Sequence, residues 1–192
     1  MIIGLDIDDV IFDTSKMMSE ILGEVKDEEL TSRKLDVMRG DVSIPAVAKF
    51  LKKYLIVAVK EGEAKPGVAE AIHRLRENGN KVVLITARGE KNFPGTVAAN
   101  EKALKDAGIE YDKIIYDSAD KVGACRANGV EIFVDDSPKN CMEVRRELGI
   151  PVIGFESDIT RESLHEAGIP SVNSWKELEK KLLGKINEQD KN

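Results

Sequence analysis

Apolar residues follow two alternating rhythms along this chain. Predominantly apolar runs at 1–5, 81–86, 113–116, 130–134 and 151–155 are short enough for strands, and their lack of a regular polar alternation predicts burial on both faces of a parallel sheet. Between them the spacing changes to that of helices. Met17, Met18, Ile21, Leu22 and Val25 form one such series, and Val47, Phe50, Leu51, Tyr54 and Leu55 a second. Val68, Ala71, Ile72 and Leu75 make a third; Cys141, Val144 and Leu148 a fourth; Trp175, Leu178 and Leu182 a fifth, with Ile186 next in the series.

Punctuation between these runs is consistent with the assignment. Asn78-Gly79, Gly108 and Gly149 close helices, Ser137-Pro138 opens one, and Ser174 with Glu177 forms a capping box for the last. Helices are further expected over 96–107, from Lys121 onward and over 161–167, with a polar tail fraying after Asn187. The mostly charged interval 27–40 reads as one short exposed helix. Strand and helix alternate so regularly that the chain is expected to be α/β, a doubly wound Rossmann-like parallel sheet. Residues 14–61 break the alternation with helices alone and read as an inserted helical unit, leaving 1–13 and 62–192 as the core.

Composition narrows the function. At 192 residues the chain has room for one α/β core plus an insertion. Lys+Arg at 29 against Asp+Glu at 35 gives a net charge of -6, which argues against a nucleic-acid polymer or an anionic membrane as partner and leaves a small phosphorylated metabolite open. Cys125 and Cys141 sit in no zinc or redox spacing, and no run approaches the roughly 20 apolar residues that span a bilayer. A cytoplasmic protein is expected, with a homodimer left open.

The chemistry is concentrated at strand ends. Asp6, Asp8 and Asp9 lie within four residues after the first apolar run, and such crowding needs a cation or a proton among the carboxylates. Thr86 ends the second run, Lys121 follows the third, and Asp135-Asp136 follow the fourth. Parallel sheets bind ligands beyond the carboxyl ends of their strands, so these groups are placed to converge. Two carboxylate clusters with a hydroxyl and a lysine suit Mg2+ and a phosphate, and a carboxylate beside that phosphate can act as nucleophile.

Taken together, Asp6-Ile7-Asp8-Asp9-Val10, Thr86 after Val82-Val83-Leu84-Ile85, Lys121, and Val134-Asp135-Asp136 resemble the four ordered motifs of the haloacid dehalogenase (HAD) superfamily. The resemblance implies Asp6 as phosphorylated nucleophile and Asp8 as general acid/base that also lends its backbone carbonyl to the metal. It implies Thr86, Ala87 and Lys121 as phosphate binders, and a Mg2+ site built on Asp6, Asp8, Asp135 and Asp136. The insertion matches a type-one cap. The segments Ile85-Thr86-Ala87-Arg88 and Val134 to Asn140 are similar to the 5'-nucleotidase-like branch, and Arg88, in the loop after Thr86, reads either as a substrate contact or as an ordinary surface arginine. Asp9 stands where many relatives carry Gly.

The expected activity is a Mg2+-dependent phosphomonoesterase acting through an aspartyl-phosphate, on nucleoside or deoxynucleoside monophosphates or another small ester. Two readings stay open beside it. One is a sugar phosphomutase of the same superfamily; the other is a non-catalytic phospho-accepting or phosphate-binding signalling module.

Overall fold

The structure, a computed structural model, describes residues 1–189, with side chains through 184. In chain order the elements are β1 (Ile2–Leu5), α1 (Thr14–Val25), α2 (Glu28–Ser32), α3 (Lys34–Met38), α4 (Pro45–Glu61) and α5 (Val68–Glu77). There follow β2 (Lys81–Ile85), α6 (Thr96–Asp106), β3 (Lys113–Ile115), α7 (Lys121–Ala127), β4 (Ile132–Asp135) and α8 (Pro138–Leu148). The chain continues through β5 (Val152–Phe155), α9 (Arg161–Glu166), β6 (Ser171–Val172) and α10 (Trp175–Gln189).

All strand pairs are parallel, in the order β3-β2-β1-β4-β5-β6. The chain winds outward from β1 to β3, then returns to place β4 on the other side of β1. This reversal puts the topological switch point between β1 and β4, where an open α/β sheet leaves a crevice at its carboxyl edge. Both sheet faces are covered. Val82 and Leu84 turn to a cluster with α5 and α10, whereas Val83 and Ile85 turn to one with Cys125 of α7 and Cys141 and Val144 of α8. Double coverage explains why these strands read as predominantly apolar runs.

The helices α1 to α4 have a core of their own, built on Met18, Leu22, Val37, Val47, Phe50, Leu51 and Leu55. Ala99 of α6 joins that cluster, so this unit rests on the helix that follows β2. Its two connections to the sheet are paired with each other. Asp13 N–H donates to Glu63 O at 3.0 Å, and Lys65 N–H to Ile11 O at 2.8 Å, around a bridge between Phe12 and Ala64. A Lys65–Asp13 ion pair closes the same junction.

Four details differ from expectation. The interval 27–40 holds two helices, because the Arg33 amide bonds back to Leu30 and ends the first before the second begins. The pair Ser171–Val172 adds a sixth strand, too short for a pattern to reveal. The fourth strand starts at Ile132 and takes in Asp135, so that carboxylate is held by the sheet itself. Finally, α10 runs on through Gln189, past the expected fraying point at Asn187; the Ile186 side chain and residues 190–192 lie outside the described residues.

Candidate active site

Parallel pairing of β1 with β4 aligns Leu5 with Val134, and the Asp6 amide donates to Val134 O at 2.9 Å. The two acidic segments are therefore joined by main-chain hydrogen bonds at the switch point. One carboxylate oxygen from each of Asp6, Asp135 and Asp136 lies within 4.8 Å of the others. Oxygens on one octahedral Mg2+ lie about 2.9 Å apart when adjacent and about 4.2 Å when opposite, so this all-oxygen donor set suits a hard divalent cation once the three carboxylates draw together around it.

Burial makes the charge deficit sharp. Asp135 is fully buried and its carboxyl is pushed up to about 7 by that burial and by the Asp6 charge, against the pull of Lys121. Asp136 moves well upward for the same reasons, burial first and then Asp135. Asp6 also rises through burial, with Lys121 opposing it. Asn140 holds Asp135 in place, its Nδ2 donating to both carboxylate oxygens at 3.1 and 3.0 Å, while the Ser137 amide donates at 2.8 Å.

Lys121 opens α7 and is buried. Its Nζ donates to Asp6 Oδ1 and, at 2.6 Å, to the carbonyl of Ile85 at the end of β2. Burial alone would depress its pKa, but Asp6 and Asp135 raise it, so the ammonium form is secured. Lys113, the other lysine near a strand end, bonds Asn128 at the surface. Thr86 is fully buried, and its Oγ1 accepts the Arg88 amide at 3.1 Å, leaving the hydroxyl hydrogen to donate. Ala87 beside it is half-buried.

Asp8 stands apart from the metal-type cluster. Its carboxylate, about a third exposed at 32 %, is gripped by Arg88, with Nε at 3.1 and 3.2 Å from its two oxygens and Nη2 at 2.7 Å. Burial pushes its pKa upward but is outweighed by the Arg88 charge and hydrogen bonds, so the carboxyl lies below its usual range.

Arg88 is turned toward protein partners. Its side chain is 1 % exposed, with Nη1 donating to Asn100 Oδ1 at 2.6 Å and Nη2 also to Thr14 Oγ1 at 3.0 Å. A guanidinium so committed presents no free fork to the crevice.

Sequence reading gave three residues here no role. Asn100 faces inward from α6 to meet Arg88, and its identity as a buried polar residue in a helix was the available signal. Trp175 donates its Nε1 hydrogen to Val10 O at 2.8 Å, pinning the turn that follows Asp6 and Asp8. Asp9 has a φ of 55°, the left-handed conformation that Gly adopts freely and Asp tolerates, which gives a physical reason for Gly in relatives. Among the aromatics, Phe12 and Phe50 are buried in packing, while Tyr54 is half-buried with its ring 4.8 Å from that of Phe50.

Comparison with solved structures finds the same fold across nearly the whole chain. A predicted phosphatase from Clostridium acetobutylicum superposes with a TM-score of 0.69 at 16% identity, covering 95% of this chain and 98% of its own. A D,D-heptose 1,7-bisphosphate phosphatase from Burkholderia thailandensis gives 0.59 at 16% identity over 95% and 97%. A conserved haloacid dehalogenase-like protein from Agrobacterium tumefaciens gives 0.62 at 18% identity over 96% and 98%. No curated protein gives a significant match. The family profile described as 5' nucleotidase, deoxy (pyrimidine), cytosolic type C protein matches residues 1–186. The chain belongs to that family, and is a phosphatase of the HAD superfamily.

Proposed function

We propose that the protein is a Mg2+-dependent phosphomonoesterase that works through an aspartyl-phosphate on nucleoside or deoxynucleoside 5'-monophosphates. The observation that carries this reading is the meeting of Asp6, Asp135 and Asp136 within 4.8 Å, with Lys121 bonded to the first of them. Among the described residues, five neighbouring carboxylates, Asp6, Asp8, Asp9, Asp135 and Asp136, face only two buried cations, Lys121 and Arg88. Asp6, Asp135, Asp136 and the Asp8 carbonyl would hold Mg2+, whose positive charge offsets repulsion between these carboxylates and an incoming phosphate.

The chain's own groups divide the remaining work. Asp6 attacks phosphorus, and the bond from phosphorus to the ester oxygen breaks. Asp8, an ionised carboxylate beside Arg88, first takes up the proton of the phosphate monoanion and then gives it to that departing oxygen, so the product alcohol leaves neutral. Water then attacks the aspartyl-phosphate and returns a proton to Asp8, releasing inorganic phosphate and restoring the Asp6 carboxylate. Lys121 and the Thr86 hydroxyl, with the Ala87 amide, bind the transferring oxygens. Residues 14–61 act as a cap that excludes water and selects the leaving group. The family's description as cytosolic and its nucleotidase name support a cytoplasmic enzyme whose partner is a small phosphorylated metabolite. Among the described residues no helix is long and apolar enough to cross a membrane.

The test is phosphate release from a panel of nucleotides and sugar phosphates, with and without Mg2+, for wild type and Asp6→Asn. Mg2+-dependent release that prefers nucleoside monophosphates and is lost in Asp6→Asn supports the reading. Equal activity of the two proteins would overturn the nucleophile assignment, and transfer of phosphate between sugar hydroxyls without release would replace hydrolase by mutase.

A further inference from the structure

Arg88 is among the largest fully buried side chains in the protein, and it is a cation. Taking a guanidinium out of water costs several kcal/mol unless its donors are met, so its partners describe its task. They come from three separate segments: Asp8 after β1, Thr14 at the first position of α1, and Asn100 on α6. The guanidinium carbon also lies 5.9 Å from the centre of the Phe12 ring. All of these hold Arg88 in place, and two of its nitrogens hold Asp8.

A carboxylate is otherwise loosely aimed, because the last torsion of an Asp side chain is broad. Two donors from one rigid planar fork remove that freedom, which a lysine's single ammonium cannot do. Proton transfer demands that aim, since the acid must come within about 2.6–3.2 Å of the oxygen it serves.

We propose that Arg88 is a positioning residue for Asp8: anchored by Asn100 and Thr14, it fixes the direction of the carboxylate that protonates the leaving oxygen and deprotonates water. This rests on the phosphomonoesterase reading above. Because Thr14 begins the helical insertion, the same fork ties the aim of Asp8 to the seating of α1.

The experiment compares two leaving groups. An alkyl ester such as deoxythymidine 5'-monophosphate needs a proton on its departing oxygen, whereas the aryl ester p-nitrophenyl phosphate expels a stable phenolate without one. Arg88→Met is expected to lower kcat on the nucleotide by about 100-fold or more, the usual scale of a misdirected acid/base. Phosphorylation of Asp6 by the aryl ester is expected to be spared, giving a burst of about one nitrophenolate per enzyme before slow turnover. KM for the nucleotide, on which both steps slow together, should stay within about a factor of two, since Arg88 touches no substrate. Arg88→Lys should recover part of the loss.

Asn100→Ala keeps the cation but loosens its anchor, and should shift the ratio of the two substrates the same way by a smaller factor. If Arg88→Met fails to give a cooperative thermal transition, Asn100→Ala decides the matter alone. Equal losses on both esters without a burst would overturn the inference, as would a raised KM with unchanged kcat, which would make Arg88 a substrate ligand. A wild type inactive on every phosphate ester would overturn the hydrolase reading and the inference with it.

Discussion

Asp9 reaches six residues forward to Ser15, and one carboxylate oxygen accepts both the Ser15 amide at 3.0 Å and its hydroxyl at 2.9 Å. The first turn of α1 lacks a side-chain cap from Asp13, the residue at its N-cap position, so Asp9 supplies one from a distance. Asp9→Ala should therefore destabilise the protein by about 1–2 kcal/mol, through loss of the cap and a strained positive φ. Asp9→Asn, which keeps an acceptor and tolerates that φ, should cost much less. Urea midpoints for the two variants check this.

Lys121 serves two ligands of opposite charge. Beside Asp6 it competes with a divalent cation for the same carboxylate, while beside the crevice it attracts phosphate. Lys121→Ala is expected to weaken inorganic phosphate binding by about tenfold or more and to strengthen Mg2+ binding, each tenfold being about 1.4 kcal/mol. Calorimetric titration of each ligand separately gives the two signs; a loss of both affinities would show that the lysine acts only through the fold.

Acidity without metal should carry a signature. Burial, against the Ser15 hydrogen bonds, pushes Asp9 up to about 6; burial and the Asp6 charge push Asp135 up to about 7. With folded values above unfolded ones, the native state binds more protons than the unfolded chain, and stability falls as pH rises through this range. The metal-free protein should lose thermal stability between about pH 4 and pH 7, and saturating Mg2+ should flatten that slope. Differential scanning calorimetry at several pH values, with and without Mg2+, measures it.

Gly4 lies mid-strand in β1, where an added Cβ would stand 2.9 Å from Val130 Cγ1 and 3.1 Å from Phe133 Cδ2. Gly4→Ala should cost about 1–3 kcal/mol by overpacking, read as a lowered urea midpoint. Because Asp6 follows β1 directly, activity should fall with it.

The sheet was legible because its strands are buried on both faces, which leaves predominantly apolar runs in the sequence. Site residues such as Asp6, Lys121 and Asp135 were legible because parallel winding sends every strand's carboxyl end to one edge. For Arg88, position after Thr86 placed it near the site, but only the fold reveals that it bonds Asp8, Thr14 and Asn100. Asn100, Asn140 and Trp175 act through contacts between distant segments, and no local pattern announces such contacts. Asp9 had no assignable task until its φ and the position of Ser15 were known.

The bond from Trp175 to Val10 spans 165 residues, and it has a consequence for how the enzyme is born. At about 5–20 residues per second, the acidic loop leaves the ribosome on the order of ten seconds before the indole that fastens it. Until then Val10 lacks its native partner and the loop of Asp6 and Asp8 is unsecured. Synthesis thus delivers the acidic loop well before α10, the helix that fastens it.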